Sequence, residues 1–78
     1  MENLIFAQSL GRAIRLRRVK LKLSQEALAV SAGLHRTYIG AVERAERNIT
    51  VKNLVKICIA LRCAPSELLI SVEQDSQE

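Results

Sequence analysis

Between Arg36 and Ala41 the chain sets a forked cation, a hydroxyl, an aromatic ring and two minimal side chains close together: Arg36, Thr37, Tyr38, Gly40 and Ala41. At helical spacing Ile39 and Val42 fall on the opposite side, so one face is apolar and the other carries this mixture. A helix lying in a DNA groove needs such a face. The Arg36 guanidinium suits guanine O6 and N7, a bidentate contact worth about 1–3 kcal/mol of discrimination, or it touches phosphate alone. Thr37 suits a thymine methyl or a phosphate oxygen. Tyr38 fits two roles: a hydroxyl on a phosphate, or a half-buried anchor at the rim of the core. Gly40 costs a helix about 1 kcal/mol relative to Ala. It either lets the backbone press against DNA or is a tolerated change, and with Ala41 it completes the outward face.

The flanking residues suit the sugar–phosphate backbone. Ser24 and Gln25 open the preceding segment, where the positive end of a helix dipole favours an anion. Arg44, Asn48 and Thr50 follow the outward face, and Arg47 is placed either to grip phosphate or to enter the groove. Catalytic chemistry has no comparable support. The only histidine is His35 at a helix cap, and no acid–base cluster or phosphate-cradling glycine loop is present. Cys58 and Cys63, five residues apart at the end of one helix, are expected to point in different directions and to serve as structural thiols. No metal, cofactor or small-molecule ligand is expected.

The elements that must hold these residues are helical. The 78 residues are 49% hydrophobic but include one Phe, one Tyr and no Trp, so the core is aliphatic. One Pro and three Gly are too few for a turn-rich β protein. Helix one is expected from Met1 to Lys22, with Phe6, Leu10, Ala13, Ile14 and Leu21 near one stripe. Helix two runs from Ser24, a side-chain cap, to Ala32, and Gly33 supplies the left-handed turn into helix three, His35 to Arg44. Small Ala29 lets these two helices pass closely. Thr50 caps helix four, Val51 to Arg62, and Pro65 opens helix five, which reaches about Val72. Residues 1–72 are expected to form one domain, and the acidic residues 73–78 to fray.

Charge agrees with the outward face. Residues 1–65 carry all twelve Lys and Arg against Glu2, Glu26, Glu43 and Glu46, a net +8, whereas residues 66–78 carry −4. A basic body suits a polyanion, with nucleic acid ahead of a membrane. Without a signal peptide or membrane-length apolar run, a cytosolic location is expected. Ile59, Leu69 and Ile70 are aliphatic residues in excess of what one small core absorbs. Dimerisation through helices four and five would cover them and set two outward faces about 34 Å apart, one turn of DNA.

The order and spacing of Leu10-Gly11, Ile14-Arg15, Arg18, Leu23-Ser24-Gln25-Glu26, Leu28-Ala29, Gly33-Leu34, Arg36, Ile39, Val42-Glu43-Arg44, Arg47-Asn48, Leu54, Ala60-Leu61 and Glu67-Leu68 resemble the lambda-repressor/Cro-type (Xre-type) helix-turn-helix regulators. The run Arg36-Thr37-Tyr38-Ile39 with Glu43-Arg44 and Arg47-Asn48 before Thr50 is similar to the controller proteins of restriction–modification systems. The resemblance implies an all-α, compact five-helix lambda-repressor-like domain whose helices two and three form the helix-turn-helix. It implies a bacterial homodimeric regulator of double-stranded DNA on a palindromic operator, touching RNA polymerase where it binds upstream. It also implies an ion pair between Arg18 and Glu43. A second class, an antitoxin-like protein-interaction module, shares the fold. Departures from the family pattern are Lys22 where a Gly commonly ends helix one, His35 for a Ser, Thr or Asp cap, Gly40 for a polar residue, Ala45 for a Gly and Ile49 for a Pro.

Overall fold

A computed structural model describes residues 3–76. The five helices are α1 (Asn3–Lys20), α2 (Gln25–Ala32), α3 (Arg36–Glu43), α4 (Val51–Ala60) and α5 (Pro65–Ser76). The expected start of helix one at Met1 lies outside the described residues. Helix α1 packs against α3 and α5, α2 against α3 and α4, and α4 against α5. The core is aliphatic: Leu10 and Ile14 meet Leu28, Ala29, Ala32, Ile39 and Val42 on one side, and Ile57, Leu61, Leu68 and Val72 on the other. Phe6, expected in the core stripe, lies at its edge, 36% exposed, beside Leu10, Val42 and Ile49.

Side-chain caps form where small polar residues precede a helix. The Ser24 hydroxyl accepts from the Ala27 N–H at 3.0 Å and the Thr50 hydroxyl from the Asn53 N–H at 3.1 Å. Helix α5 is capped from inside, the Ala64 N–H donating to the Glu67 carboxylate at 3.0 Å. His35 makes no side-chain bond to α3.

Helices α1 to α4 all end the same way. A residue at positive φ donates its N–H three residues back, and the next N–H reaches five residues back. The pairs are Lys22 to Val19 with Leu23 to Arg18, Gly33 to Val30 with Leu34 to Ala29, Ala45 to Val42 with Glu46 to Ala41, and Arg62 to Ile59 with Cys63 to Cys58. The left-handed φ values are 60°, 68°, 61° and 59° in that order, and Gly33 alone adopts this conformation without steric cost. Arg17 Nε and Nη2 donate to the carbonyls of Leu61 and Arg62, placing a cation at the end of α4.

Two expectations fail here for physical reasons. Cys58 and Cys63 do not diverge, because the left-handed Arg62 folds the chain back and brings Cys63 against Cys58. Burial and this neighbour push the Cys58 thiol up to about 11, and both cysteines are free. Helix five does not stop near Val72: α5 continues to Ser76, and Asp75 accepts from Arg12 Nε and Nη2 on α1. Residues 77–78 of the expected tail lie outside the described residues.

Close approach of helices depends on Gly11 more than on Ala29. A Cβ on Gly11 would stand 2.5 Å from the Glu43 carbonyl oxygen and 2.8 Å from that of Val42, so the backbone of α3 rests directly on α1. We expect Gly11→Ala to lower thermal stability by about 1–3 kcal/mol despite the better helix propensity of Ala. Ala45→Gly should raise it by about 1 kcal/mol by relieving the left-handed backbone. Thermal melts of the two variants check both signs.

Candidate nucleic-acid interface

The segment α2–turn–α3 is bolted down from below. Leu28, Ala29 and Ala32 bury one face of α2, Ile39 and Val42 bury one face of α3, and Leu34 packs beside them just past Gly33. Beneath the pair lies a polar network. Arg18 Nε donates to Glu43 Oε2 at 2.7 Å and Nη2 to Glu43 Oε1 at 3.0 Å. Arg18 Nη1 donates to the Leu23 carbonyl at 2.8 Å, and Gln25 Nε2 donates to Glu43 Oε1 at 3.1 Å. The Arg18 and Glu43 side chains are 11% and 3% exposed, so this is a buried pair whose carboxylate accepts three hydrogen bonds. The bond to Glu43 raises the Arg18 pKa against the burial that opposes it. One carboxylate thereby ties the end of α1, the start of α2 and the end of α3.

The outward face divides into free and engaged residues. Arg36 and Thr37 are exposed, and the Arg36 side chain makes no hydrogen bond or ion pair with any described residue. Ala41 is half-buried and lines a shallow depression with His35, Thr37, Tyr38, Glu46 and Arg47. Arg47 and Asn48 are exposed in the loop after α3, and the Arg47 guanidinium lies 5.4 Å from the Tyr38 ring centroid. Ser24 and Thr50 are exposed, and each hydroxyl that accepts from the backbone keeps its own proton to donate.

For three candidates the geometry selects among the expected roles or adds another. Tyr38 is an anchor: its ring packs on the core and its hydroxyl is buried with no hydrogen-bond partner, so it offers no donor at the surface. Gly40 is buried and does not present bare backbone outward, because Arg44 and Gln25 roof it. Gln25 is half-buried and holds Glu43, a structural task for which its residue type gave no signal; its second amide hydrogen stays available. Arg44 is exposed, with Nε 3.1 Å from Glu46.

Of the three aliphatic residues in excess, Ile59 is 72% and Ile70 53% exposed, and Leu69 is half-buried. Exposed apolar surface also includes Leu16 and Val19 on α1 and Val55 on α4, which composition did not single out. Among the described residues no three His, Cys, Asp or Glu gather as a metal site, and no helix is long and apolar enough to cross a membrane.

Residues 14–68 match the family model described as Helix-turn-helix. The chain is 55% identical over 47 residues to Control protein C.SmaI of Serratia marcescens, an overlap of 60% of this chain and 56% of that protein. It is 47% identical over 67 residues to Control protein C.BamHI of Bacillus amyloliquefaciens, covering 86% of this chain and 79% of that protein. Among solved structures, the fold matches the restriction–modification controller protein C.Esp1396I, a tetramer in complex with its natural 35 base-pair operator. The TM-score is 0.87 at 27% identity, covering 94% of this chain and 96% of that one.

Removing Glu43 would strand the Arg18 cation in a buried site. Glu43→Ala should therefore cost about 3–5 kcal/mol in denaturant unfolding, far more than an exposed pair contributes. For Tyr38→Phe the expected outcome is unchanged or higher stability, since a buried hydroxyl without a partner costs about 1–3 kcal/mol. A marked loss of stability in that variant would show that the hydroxyl is satisfied after all.

Proposed function

The chain belongs to the helix-turn-helix family and groups there with the control proteins of restriction–modification systems, and from this membership we propose that it is a homodimeric, sequence-specific, DNA-binding transcriptional regulator. The observation that carries the reading is the exposed, unpartnered Arg36 on a helix whose other face is locked to the core. A guanidinium on a fixed helix loses little freedom on meeting a guanine edge, which favours specific readout. Thr37 and Ala41 flank it as base-facing candidates, and Arg47 stands beside them at the edge of the same depression. Ser24, Gln25, Arg44, Asn48 and Thr50 surround this face as backbone contacts, which fix orientation without reading sequence.

Two copies joined through the exposed Ile59 and Ile70 would present two such helices to a palindromic site. The relative C.Esp1396I, bound as a tetramer to its operator, supports an oligomeric mode of action. Regulation follows from occupancy: a bound oligomer blocks a promoter it overlaps, and from an upstream position it can touch RNA polymerase. The restriction–modification genes and the chain's own promoter are the proposed targets, by kinship with the control proteins.

The test is a footprint on the DNA upstream of the chain's own gene, with sedimentation of the complex. A protected palindrome at two protomers per site, weakening steeply with salt, is the expected result. Failure to bind any duplex at low ionic strength would overturn the proposal. Arg36→Ala should narrow the gap between operator and random DNA by about 1–3 kcal/mol. Gln25→Ala should instead weaken both alike, as a phosphate contact does. Competition binding separates the two, and equal loss on both DNAs for Arg36→Ala would refute the assignment of Arg36 to readout.

A further inference from the structure

Gly40 occupies the middle of α3, where a side chain would ordinarily face outward, yet it is buried. Its cover is specific. A Cβ built there would meet Arg44 Nη1 at 3.0 Å and Gln25 Oε1 at 3.5 Å, with Arg44 Cζ at 3.7 Å. Helical side chains lean toward the N-terminus, so a residue covers the turn four positions before it. Arg44 follows that rule, and with no Cβ at position 40 its guanidinium closes over the space that a side chain there would fill. Glu46 takes its Nε at 3.1 Å, and Gln25, itself held by Glu43 at 3.1 Å, closes the other side.

Resting on the DNA-binding reading above, we propose that Gly40 is a positioning residue. By omitting a side chain it seats the Arg44 guanidinium against Gln25 at the start of α2, and the two together grip one DNA phosphate. The parts are complementary for that purpose. Arg44 brings a cation with several donors, and Gln25 brings its second amide hydrogen at the positive end of α2. Glu46 engages Arg44 through Nε and leaves the terminal nitrogens facing Gly40 and solvent. The contact is sequence-independent, so Gly40 sets affinity and register while Arg36 reads bases.

The test uses binding isotherms on a short mixed-sequence duplex across a salt series, for the full chain, Gly40→Ala, Arg44→Ala and the double variant. Arg44→Ala should reduce the slope of log affinity against log salt by about one per protomer. Gly40→Ala should move the slope in the same direction while its melting temperature stays equal or rises, because Ala is the better helix former. The double variant should bind no worse than Arg44→Ala alone. Gly40→Ala with the parent's slope and affinity would overturn the proposal. Additive losses in the double variant would overturn it too, since they would mean that the new methyl meets DNA directly. If the parent protein ignored the duplex at low salt, the DNA-binding reading itself would fall, an outcome distinct from both.

Discussion

Everything on the proposed DNA-facing side of this molecule hangs from one buried carboxylate. Glu43 accepts from Arg18 twice and from Gln25 once, and Arg18 spends a third donor on the Leu23 carbonyl. An ion pair removed from water is not an efficient source of stability compared with packed hydrocarbon. Its value lies in direction. Aliphatic contacts among Leu28, Ile39 and Val42 press α2 and α3 against α1 but resist sliding weakly, whereas a bidentate arginine–carboxylate pair has one geometry. The pair fixes the angle at which α3 leaves the body, and so the orientation of Arg36.

Gly11 is the steric counterpart of that electrostatic tie. The carbonyls of Val42 and Glu43 lie where a methyl group would be, so the end of α3 meets α1 backbone to backbone. Shortening the distance between the helices brings Glu43 within reach of Arg18, about two turns along α1. A dense aliphatic core with no large aromatic ring leaves no space to accommodate an error at this crossing.

How much of this is legible in the residue order depends on whether the cause is local. Ser24, Thr50 and Gly33 announce their roles because capping and left-handed turns are decided within a few residues. The left-handed Lys22 and Ala45 stand where the family resemblance places Gly, but Arg62 carries no such mark, since its residue type favours no left-handed turn. Gly11 shows itself only as a helix-weakening residue whose compensation lies 32 positions away in the chain. Acidic residues 73–76 look like a tail until Arg12 is seen to hold Asp75. On the outward face, the exposure of Arg36 and Thr37 follows from helical periodicity. Arg44 covers Gly40 at ordinary helical spacing, but the burial of the Tyr38 hydroxyl and the approach of Gln25 to Gly40 depend on tertiary packing, which periodicity does not encode.

The clasp between Arg12 and Asp75 joins residues 63 positions apart, whereas α2 and α3 meet across a single turn. Closing a long loop carries an entropy cost that grows slowly with its length, and local helix pairs escape it. Docking of α5 on α1 is therefore the last event of folding that topology favours. On the dimer surface proposed above, which includes Ile70 of α5, a subunit that has not finished that docking would have no complete face to offer a second one. With that surface, subunit maturation and assembly would become one cooperative transition, and the concentration at which active oligomer accumulates would report on how well a single helix is seated.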